Sequence, residues 1–543
     1  MMPGTEHLII APILIPFFAG AVMLLYDERQ RRAKAAISLA AAVTMLVVAI
    51  ELMNRSKTYN LPGGTDISFY LLGNWSAPFG IVLVIDRLSA MMLVLTGLLA
   101  VPALIYSMAG WQRQGQHFHS LFQFLLMGLN GAFLTGDLFN LFVFFEVLLA
   151  ASYGLLLHGT GQLRVRAGLH YIAINLTASL LFLIGVSLIY GVTGTLNMAQ
   201  LSQIIPVLAE SERPFLHAGA AIMGLAFLVK AGIWPLSFWL PTTYMAGAAP
   251  VAAMFAIMTK VGIYVIMRLS LLLFGASAGA SAGFGAEMLI AAGILTIAFG
   301  LLGVLASQGL GRMAAHLVLI SSGTLLCVTG FVLAGGGAML LAGAFYYLVS
   351  STLATSALFL LIEPMGREEG GIAAMLALTA DAYGLDPDEE DQPEVGIAIP
   401  GTLTVLGLSF GVCLLVLSGL PPLSGFIGKL AILTGILAAT GLPAAVGWTF
   451  VVILLLSGFC ALIGLIRVGI QSFWVTEGNI PRVLALEIAP VIVLLAMLFL
   501  LTVEAQDTLR YMQSAANQLL DPVRSAEQVM NLPRVDKTQV TLP

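Results

Sequence analysis

Five ionisable residues lie inside long apolar stretches of the sequence. They are Glu146 in LFNLFVFFEVLLAASYG, Lys230 in LAFLVKAGIWPLSFWLP, Lys260 in AIMTKVGIYVIMR, Lys429 in GFIGKLAIL and His316 in GRMAAHLVL. Because burial disfavours the charged form of a lysine, an amine enclosed in this way can exchange its proton near neutral pH. A row of such groups bridged by water would form a proton relay, and Glu146 and the three lysines are its predicted members.

Structural roles are the alternative for each of these residues. Glu146 is alone at its depth, because Asp137 precedes it by nine residues and is about 13 Å away along a helix, half a turn out of phase. Lys230 is therefore the partner expected for Glu146 by charge. A buried salt bridge stabilises a protein poorly, since desolvation cancels most of the attraction, so a functional pair is favoured. His316 fits a packing or surface histidine as well as a relay member.

Two further charged residues are expected near the ends of spans. Asp86 is followed directly by Arg87, which predicts a local ion pair at the membrane interface. Arg268 lies towards the end of its apolar stretch and is expected to reach the membrane surface with its long side chain.

The surroundings of these residues are predicted to be lipid. The chain of 543 residues is 59% hydrophobic and only 9% charged, whereas soluble domains carry about 25% charged residues. Apolar runs long enough to cross a bilayer as helices recur along the chain. Cys327, Cys413 and Cys460 all lie in such runs, which favours packing over a disulfide or metal framework. A first span that is retained, rather than a signal peptide, is expected because the N-terminus carries Glu6 and lacks a basic region.

Motifs for nucleotides and redox groups are absent from the sequence. It contains no Walker motif, dinucleotide fingerprint, haem-attachment motif or cysteine cluster. No cofactor, no metal site and no nucleic-acid partner are therefore expected. The energy that the protein handles is expected to arrive as an ion gradient or through a partner subunit.

The hydropathy pattern predicts an all-α polytopic membrane protein with about 14 transmembrane helices. Prolines should break the seventh span, at Pro235, and the twelfth, at Pro421 and Pro422. Lys230 precedes its break whereas Lys429 follows its own, which is the order that an inverted repeat produces. The predicted spans lie near residues 8–26, 34–53, 81–107, 118–135, 137–157, 168–190, 215–239, 250–274, 287–307, 312–334, 339–362, 400–440, 449–470 and 485–503.

Four regions follow from this pattern. Residues 1–117 hold helices 1–3, residues 118–274 a first repeat of helices 4–8, and residues 287–470 a second repeat of helices 9–13. Residues 485–543 hold the last helix and an extramembrane tail, in which a short surface helix is expected. The acidic loop 363–399 of the second repeat is interpreted as a solvated cytoplasmic loop, with a docking patch for a basic partner as the alternative. Basic residues in alternate short loops predict that both termini lie outside.

The sequence resembles the antiporter-like membrane subunits that respiratory complex I shares with the Mrp multisubunit cation/proton antiporters, over roughly residues 70–500. The resemblance rests on FFEVLLAASYGLL, LVKAGIWPLSFWLP, MTKVGIYVIMR and SGLPPLSGFIGK, and is greatest to the D subunit of Mrp-type antiporters. It implies two inverted five-helix repeats with broken helices 7 and 12, and a polar axis formed by Glu146, Lys230, Lys260 and Lys429. On span ten, AAHLVLISSG replaces the polar AYSS run of relatives, which weakens the case for a contribution from that span, His316 included.

The resemblance implies a proton-translocating subunit of a multisubunit antiporter in the bacterial inner membrane. Its partners would be other subunits of that complex, and it would exchange protons for a monovalent cation, with Na⁺ expected. The alternative is a proton-pumping membrane subunit of an NADH–quinone oxidoreductase or membrane hydrogenase. A scaffold with purely structural charges is the third possibility. In none of these roles would the chain itself be a catalytic enzyme.

Overall fold

Apolar helices make up most of the computed structural model, which describes residues 6–27, 29–58, 67–366, 401–439, 444–474 and 483–531. Eleven described helices are long and apolar enough to cross a membrane, and four shorter apolar helices accompany them. This confirms the all-α polytopic class. The total of about 14 spans, the two inverted repeats and the four region boundaries stay predictions.

In chain order, the first part of the protein forms α1 (Ala11–Leu24), α2 (Arg31–Thr58), β1 (Ser68–Leu71), β2 (Val82–Ile85), α3 (Arg87–Ser107), α4 (Phe118–Leu134), α5 (Leu138–Leu156), α6 (Gln162–Thr193), α7 (Met198–Ile204), α8 (Arg213–Ala231), α9 (Trp239–Ala246) and α10 (Ala249–Phe274). The second part forms α11 (Ala286–Ala306), α12 (Leu310–Leu333), α13 (Ala338–Gly366), α14 (Thr402–Ser418), α15 (Ser424–Ala438), α16 (Ala444–Trp474), α17 (Ala485–Val503), α18 (Ala505–Leu519) and α19 (Pro522–Met530). The two strands pair antiparallel.

Three helices form the centre of the bundle. The apolar stretch of α12 is buried along its whole length, and those of α10 and α13 nearly so, whereas α6, α11 and α16 leave more than half of theirs uncovered. α13 packs against α10, α12, α15 and α17. Helices that are apolar all round belong inside a bundle or against lipid, so any polar side chain on α10, α12 or α13 must find its partners within the protein.

Both predicted helix breaks are present. α8 ends at Ala231 and is followed by Gly232 at φ 73°, and α9 begins at Trp239. α14 ends at Ser418 and is followed by Gly419 at φ 79°, and α15 begins at Ser424. A glycine in the left-handed conformation ends a helix without a side-chain clash. Each break therefore exposes the last carbonyl groups of a helix in the middle of the bundle.

The chain end differs from the single surface helix expected. It forms two helices, α18 and α19, and α18 packs on α3 and α13 with Met512, Ala515 and Ala516 buried. Amphipathic helices gain stability by covering an apolar face, which explains why the tail folds back onto the bundle. Of the acidic loop predicted at 363–399, residues 363–366 belong to α13 and the rest lies outside the described residues.

A pair of glycine substitutions tests the packing of α15 on α14. A Cβ at Gly425 would overlap the carbonyl oxygen of Val416, whereas a Cβ at Gly411 would meet no atom within 4 Å. Gly425→Ala should therefore destabilise the protein by about 1–3 kcal/mol. Gly411→Ala should be neutral or stabilising by up to about 1 kcal/mol, because alanine is the better helix former. Thermal unfolding of the detergent-solubilised variants measures this difference. Equal changes in the unfolding temperature of the two variants would contradict the packing.

Candidate functional site

Lys260 lies near the middle of α10 and is 1% exposed. Its Nζ donates a hydrogen bond of 2.7 Å to Ser321 Oγ on α12. Ser321 Oγ lies 2.9 Å from Ser351 Oγ on α13. The amine is therefore held by a hydroxyl of α12 that in turn contacts a hydroxyl of α13, with no carboxylate within ion-pair distance among the described residues.

A second hydroxyl pair leads on towards Lys429. Ser350 Oγ on α13 lies 2.9 Å from Ser424 Oγ, the first residue of α15, and α15 carries Lys429 further along. Ser350 and Ser351 are adjacent, so α13 presents one hydroxyl to α12 and the next to α15. Each hydroxyl can donate one hydrogen bond and accept others. The central helices thus place hydroxyl groups between the two lysines.

Lys429 is anchored by the broken helix beside it. Its Nζ donates to the carbonyl oxygen of Ser418 at 2.9 Å and to that of Leu417 at 3.4 Å. These are the last carbonyls of α14, where the helix dipole is negative. Gly419 and Gly458 leave room for the amine, because a Cβ at either would lie within 3.0 Å of Nζ. The break therefore supplies the acceptors that this buried ammonium needs.

Lys230 lies in the last turn of α8, before the other break, and is not anchored. It is 8% exposed, and its Nζ has no hydrogen-bond partner among the described residues. The carbonyl of Val229 accepts instead from Trp239 Nε1 at 3.2 Å. The ammonium lies over the ring of Phe145, 5.6 Å from its centre, a cation–π contact. The two breaks are thus alike in backbone and different in what the lysine does.

Glu146 and Lys230, the pair expected by charge, do not form a salt bridge in this structure. Within the part of the chain that the structure describes, no ion pair of 4 Å or less joins them, and Glu146 Oε1 is buried without a hydrogen bond. Glu146 is nevertheless close enough to act electrostatically on Lys230. The ring of Phe145, rather than the carboxylate, faces the ammonium, and the functional pairing of Glu146 with Lys230 stays a prediction.

His316 lies away from this row. It is 7% exposed and packs against α11, with its ring 5.8 Å from that of Phe299 and closely over Gly303. Ser321 follows it by five residues, which is about 140° around the helix. This placement favours the packing interpretation of His316 over the relay interpretation.

The hydroxyl groups are the part of the site that sequence reasoning missed. Span ten was expected to contribute little, yet α12 supplies Ser321, the hydrogen-bond partner of Lys260. The available signal was the pairing of serines within apolar spans: Ser321–Ser322 in LISSG and Ser350–Ser351 in LVSST. In the second pair, Ser351 faces Ser321 of α12 and Ser350 faces Ser424 of α15.

Asp86 and Arg268 form a pair that the sequence did not suggest. Arg268 on α10 donates to Asp86 Oδ2 across the bundle and to the hydroxyl of Tyr264 at 2.8 Å. Asp86 Oδ1 accepts from the backbone N–H of Ser89 at 2.8 Å and so caps α3. The expected Asp86–Arg87 pair and the surface position of Arg268 were both wrong, because α3 and α10 pack side by side at this end.

Asp137 stands where it was expected, at the start of α5. It caps that helix by accepting from the backbone N–H of Asn140 at 2.9 Å. Across the described ranges, no group of three or more His, Cys, Asp or Glu side chains is arranged to hold a metal ion. Cys327, Cys413 and Cys460 are free and buried.

Comparison with known proteins connects this geometry to a family. The family model described as "NADH:quinone oxidoreductase/Mrp antiporter, TM" matches residues 135–460, which include Glu146 and all three lysines. The chain is 56% identical to the D subunit of a probable K⁺/H⁺ antiporter of Rhizobium meliloti, covering 98% of this chain and 99% of the relative. It is 35% identical to the D subunit of a Na⁺/H⁺ antiporter of Alkalihalophilus pseudofirmus, covering 97% and 99%.

A solved structure shares the fold. A chain in the structure of the Mrp complex from Dietzia sp. DQ12-45-1b superposes with a TM-score of 0.81 at 24% identity, covering 98% of this chain and 100% of that chain. At this identity the likeness concerns the fold alone.

Ser321 and Ser322, which are neighbours on α12, provide a matched test of the hydrogen bond that Lys260 donates. Ser321→Ala removes the acceptor of a buried ammonium and should cost about 1–3 kcal/mol of stability. Ser322→Ala removes a buried hydroxyl whose oxygen has no hydrogen-bond partner among the described residues and should change stability by less. Thermal unfolding of both variants measures the difference. A larger loss for Ser322→Ala would contradict the assigned contact.

Proposed function

This chain belongs to the family of NADH:quinone oxidoreductase and Mrp antiporter membrane subunits, and on that basis we propose that it is the proton-translocating subunit of a multisubunit monovalent cation/proton antiporter. It is a multi-span protein of the bacterial inner membrane and a transporter component rather than a catalytic enzyme. The proposal is supported by the two relatives, both named as the D subunits of cation/proton antiporters and both covered almost end to end. Its partners are the other subunits of the antiporter.

The contact from Lys260 through Ser321 to Ser351 carries the proposal for this site. A protonated Lys260 donates to Ser321, whose own proton can pass to Ser351. The pair Ser350–Ser424 then continues towards Lys429. A proton moves along such a row when each hydroxyl accepts on one side and donates on the other. Water completes rows of this kind where side chains do not meet.

Lys230 and Glu146 are proposed to control the occupancy of this row. The Cβ of Lys230 would lie 3.3 Å from a Cβ placed on Gly262 of α10, so the helices of Lys230 and Lys260 are in close contact. At an effective dielectric of about 20, moving a charge from about 4 to 8 Å from another changes their interaction by about 2 kcal/mol. Because Lys230 is not anchored by hydrogen bonds, a change in the charge of Glu146 can alter the position or the charge of Lys230. That change in turn alters the electrostatic interaction between Lys230 and Lys260.

The exchanged cation and the redox alternative are decided by experiments on the complex. The resemblance implies Na⁺, while the name of the relative with 56% identity refers to K⁺, so both ions are to be assayed. The description of the family also includes NADH:quinone oxidoreductase, in which the same row would serve a redox-driven pump. Purification of the native complex and identification of its subunits separates the two. Finding quinone-reductase or hydrogenase subunits in the purified complex would overturn the proposal that the protein belongs to an antiporter.

Substitutions along the row test the proposal in inverted membrane vesicles. Lys260→Ala, Lys230→Ala and Glu146→Gln should each reduce cation-driven proton flux more than about tenfold, which corresponds to about 1.4 kcal/mol of lost barrier stabilisation. Arg510→Gln, on the exposed face of α18, is the control and should leave the flux unchanged. Co-purification of the other subunits reports assembly. Undiminished flux in normally assembled Lys260→Ala complexes would refute the relay, and loss of assembly without a specific loss of flux would favour a scaffold.

A further inference from the structure

A second row of polar residues lies on α10 beyond Lys260. Tyr264 and Arg268 follow Lys260 at intervals of four residues, so the three side chains share one face of the helix. Arg268 is about 12 Å from Lys260 along the axis. This face leads from the buried lysine towards the end of the bundle where β2 joins α3 and where α18 and α19 lie. In the orientation predicted from the loop charges, that end is the outer one.

The polar groups of Tyr264 and Arg268 on this face already have hydrogen-bond partners. The Tyr264 hydroxyl donates to the carbonyl oxygen of Phe133 at 2.7 Å and accepts from Arg268 Nε at 2.8 Å. Arg268 is held in turn by Asp86. Tyr264 is 2% exposed, and among the described residues no hydrogen bond joins it to Lys260. The amine of Lys260 turns sideways to Ser321 instead.

A small cavity reaches this row from the outer end and stops at Arg268. Its volume is about 50 Å³, and both Asp86 and Arg268 line it, with Leu519 and Ala526 of the two C-terminal helices forming its cover. A cavity of this size has room for a few water molecules beside polar groups. Tyr264 does not line the cavity, so the cavity ends one turn of helix before Tyr264 and two turns before Lys260.

A guanidinium is suited to stop protons at this point. It carries five N–H donors, has no acceptor and keeps its proton in proteins, so it cannot receive a proton and pass it on. Its fixed positive charge also repels hydronium and metal cations that enter the cavity. Asp86 offsets the cost of burying that charge.

We propose that Arg268 is the residue that separates Lys260 from the outer end of the bundle, so that protons leave Lys260 only sideways through Ser321. This inference rests on the proposed function, since a seal is needed only along a row that carries protons. Tyr264 positions Arg268 by accepting from its Nε, whereas Asp86 only balances its charge. Without the seal, a proton could cross between Lys260 and the outer cavity without exchange for a cation.

Proton leak in the absence of a transported cation tests the seal. The assembled complex is studied in membrane vesicles in choline thiocyanate, free of Na⁺ and K⁺, with a pH-sensitive dye inside and a pH step imposed across the membrane. Arg268→Gln should speed the collapse of the pH gradient by about tenfold, because a factor of ten needs only about 1.4 kcal/mol of barrier. Arg268→Lys replaces the guanidinium by an amine that can release its proton when it is buried, so it should also leak faster than wild type.

The partner of Arg268 supplies the control that distinguishes a charge barrier from a structural ion pair. Asp86→Asn breaks the same ion pair but keeps Arg268 positive, and asparagine still caps α3. It should therefore leak no faster than wild type. Asp507→Asn removes the acid of an exposed pair on α18 and should also match wild type. The double variant Asp86→Asn/Arg268→Gln leaves no unpaired buried charge and should leak, so the test survives if Arg268→Gln alone fails to assemble.

The outcomes separate the seal from the proposed function. Leak in Arg268→Gln or in the double variant, but not in Asp86→Asn, supports the seal. Equal leak in Arg268→Gln and Asp86→Asn overturns the seal in favour of a structural ion pair. A proton leak no faster than that of wild type in assembled Arg268→Gln or double-variant complexes overturns the seal outright. If the seal fails in this way while wild type still exchanges cations for protons, the proposed function stands. If wild type shows no cation-driven proton flux, the proposed function fails independently of the leak.

Discussion

A positive charge enclosed by apolar helices is the constraint on which the rest of this structure depends. The desolvation cost of an ammonium is large, and attraction to one counterion rarely repays it. The protein meets that cost differently for each buried lysine: hydroxyl groups for Lys260, the carbonyls of a helix end for Lys429 and an aromatic ring for Lys230. None of the three has a carboxylate in contact within the described part of the chain. Their charges are therefore free to change, which a tight salt bridge would oppose.

The helix breaks have the same backbone and different chemistry. In each, a glycine with positive φ ends the helix that precedes the break and leaves carbonyl groups in the bundle interior. At one break Lys429 donates to the last two carbonyls of α14, and at the other Trp239 donates to the carbonyl of Val229. Lys429 is consequently held in place, whereas Lys230 is the amine most able to respond to its surroundings. Two helix breaks with the same backbone conformation can in this way hold one fixed and one responsive cation.

In the proposed relay, the direction of proton movement follows from the unequal faces of α10. Towards α12 and α13 its lysine meets serine hydroxyls, which can both accept and donate. Along its own axis, towards the outer end, it meets a tyrosine whose hydrogen bonds are already made and an arginine that keeps its proton. The sideways route is therefore open to proton transfer, and the outward route is closed by the same packing that brings α3 against α10.

The sequence by itself determined the class of protein, the broken helices and the buried lysines. Hydrophobic run length, prolines and isolated charges are local signals, and each can be read without knowing what packs beside it. Only the tertiary structure decided the partners: Phe145 rather than Glu146 facing Lys230, Ser321 beside Lys260, and Arg268 paired with Asp86 rather than reaching the membrane surface. A partner is chosen by the rotation and the packing of two helices that lie far apart in the chain, as for Asp86 and Arg268. An uncharged serine in an apolar span gives no sign of that choice, because its hydroxyl can equally bond to the backbone of its own helix.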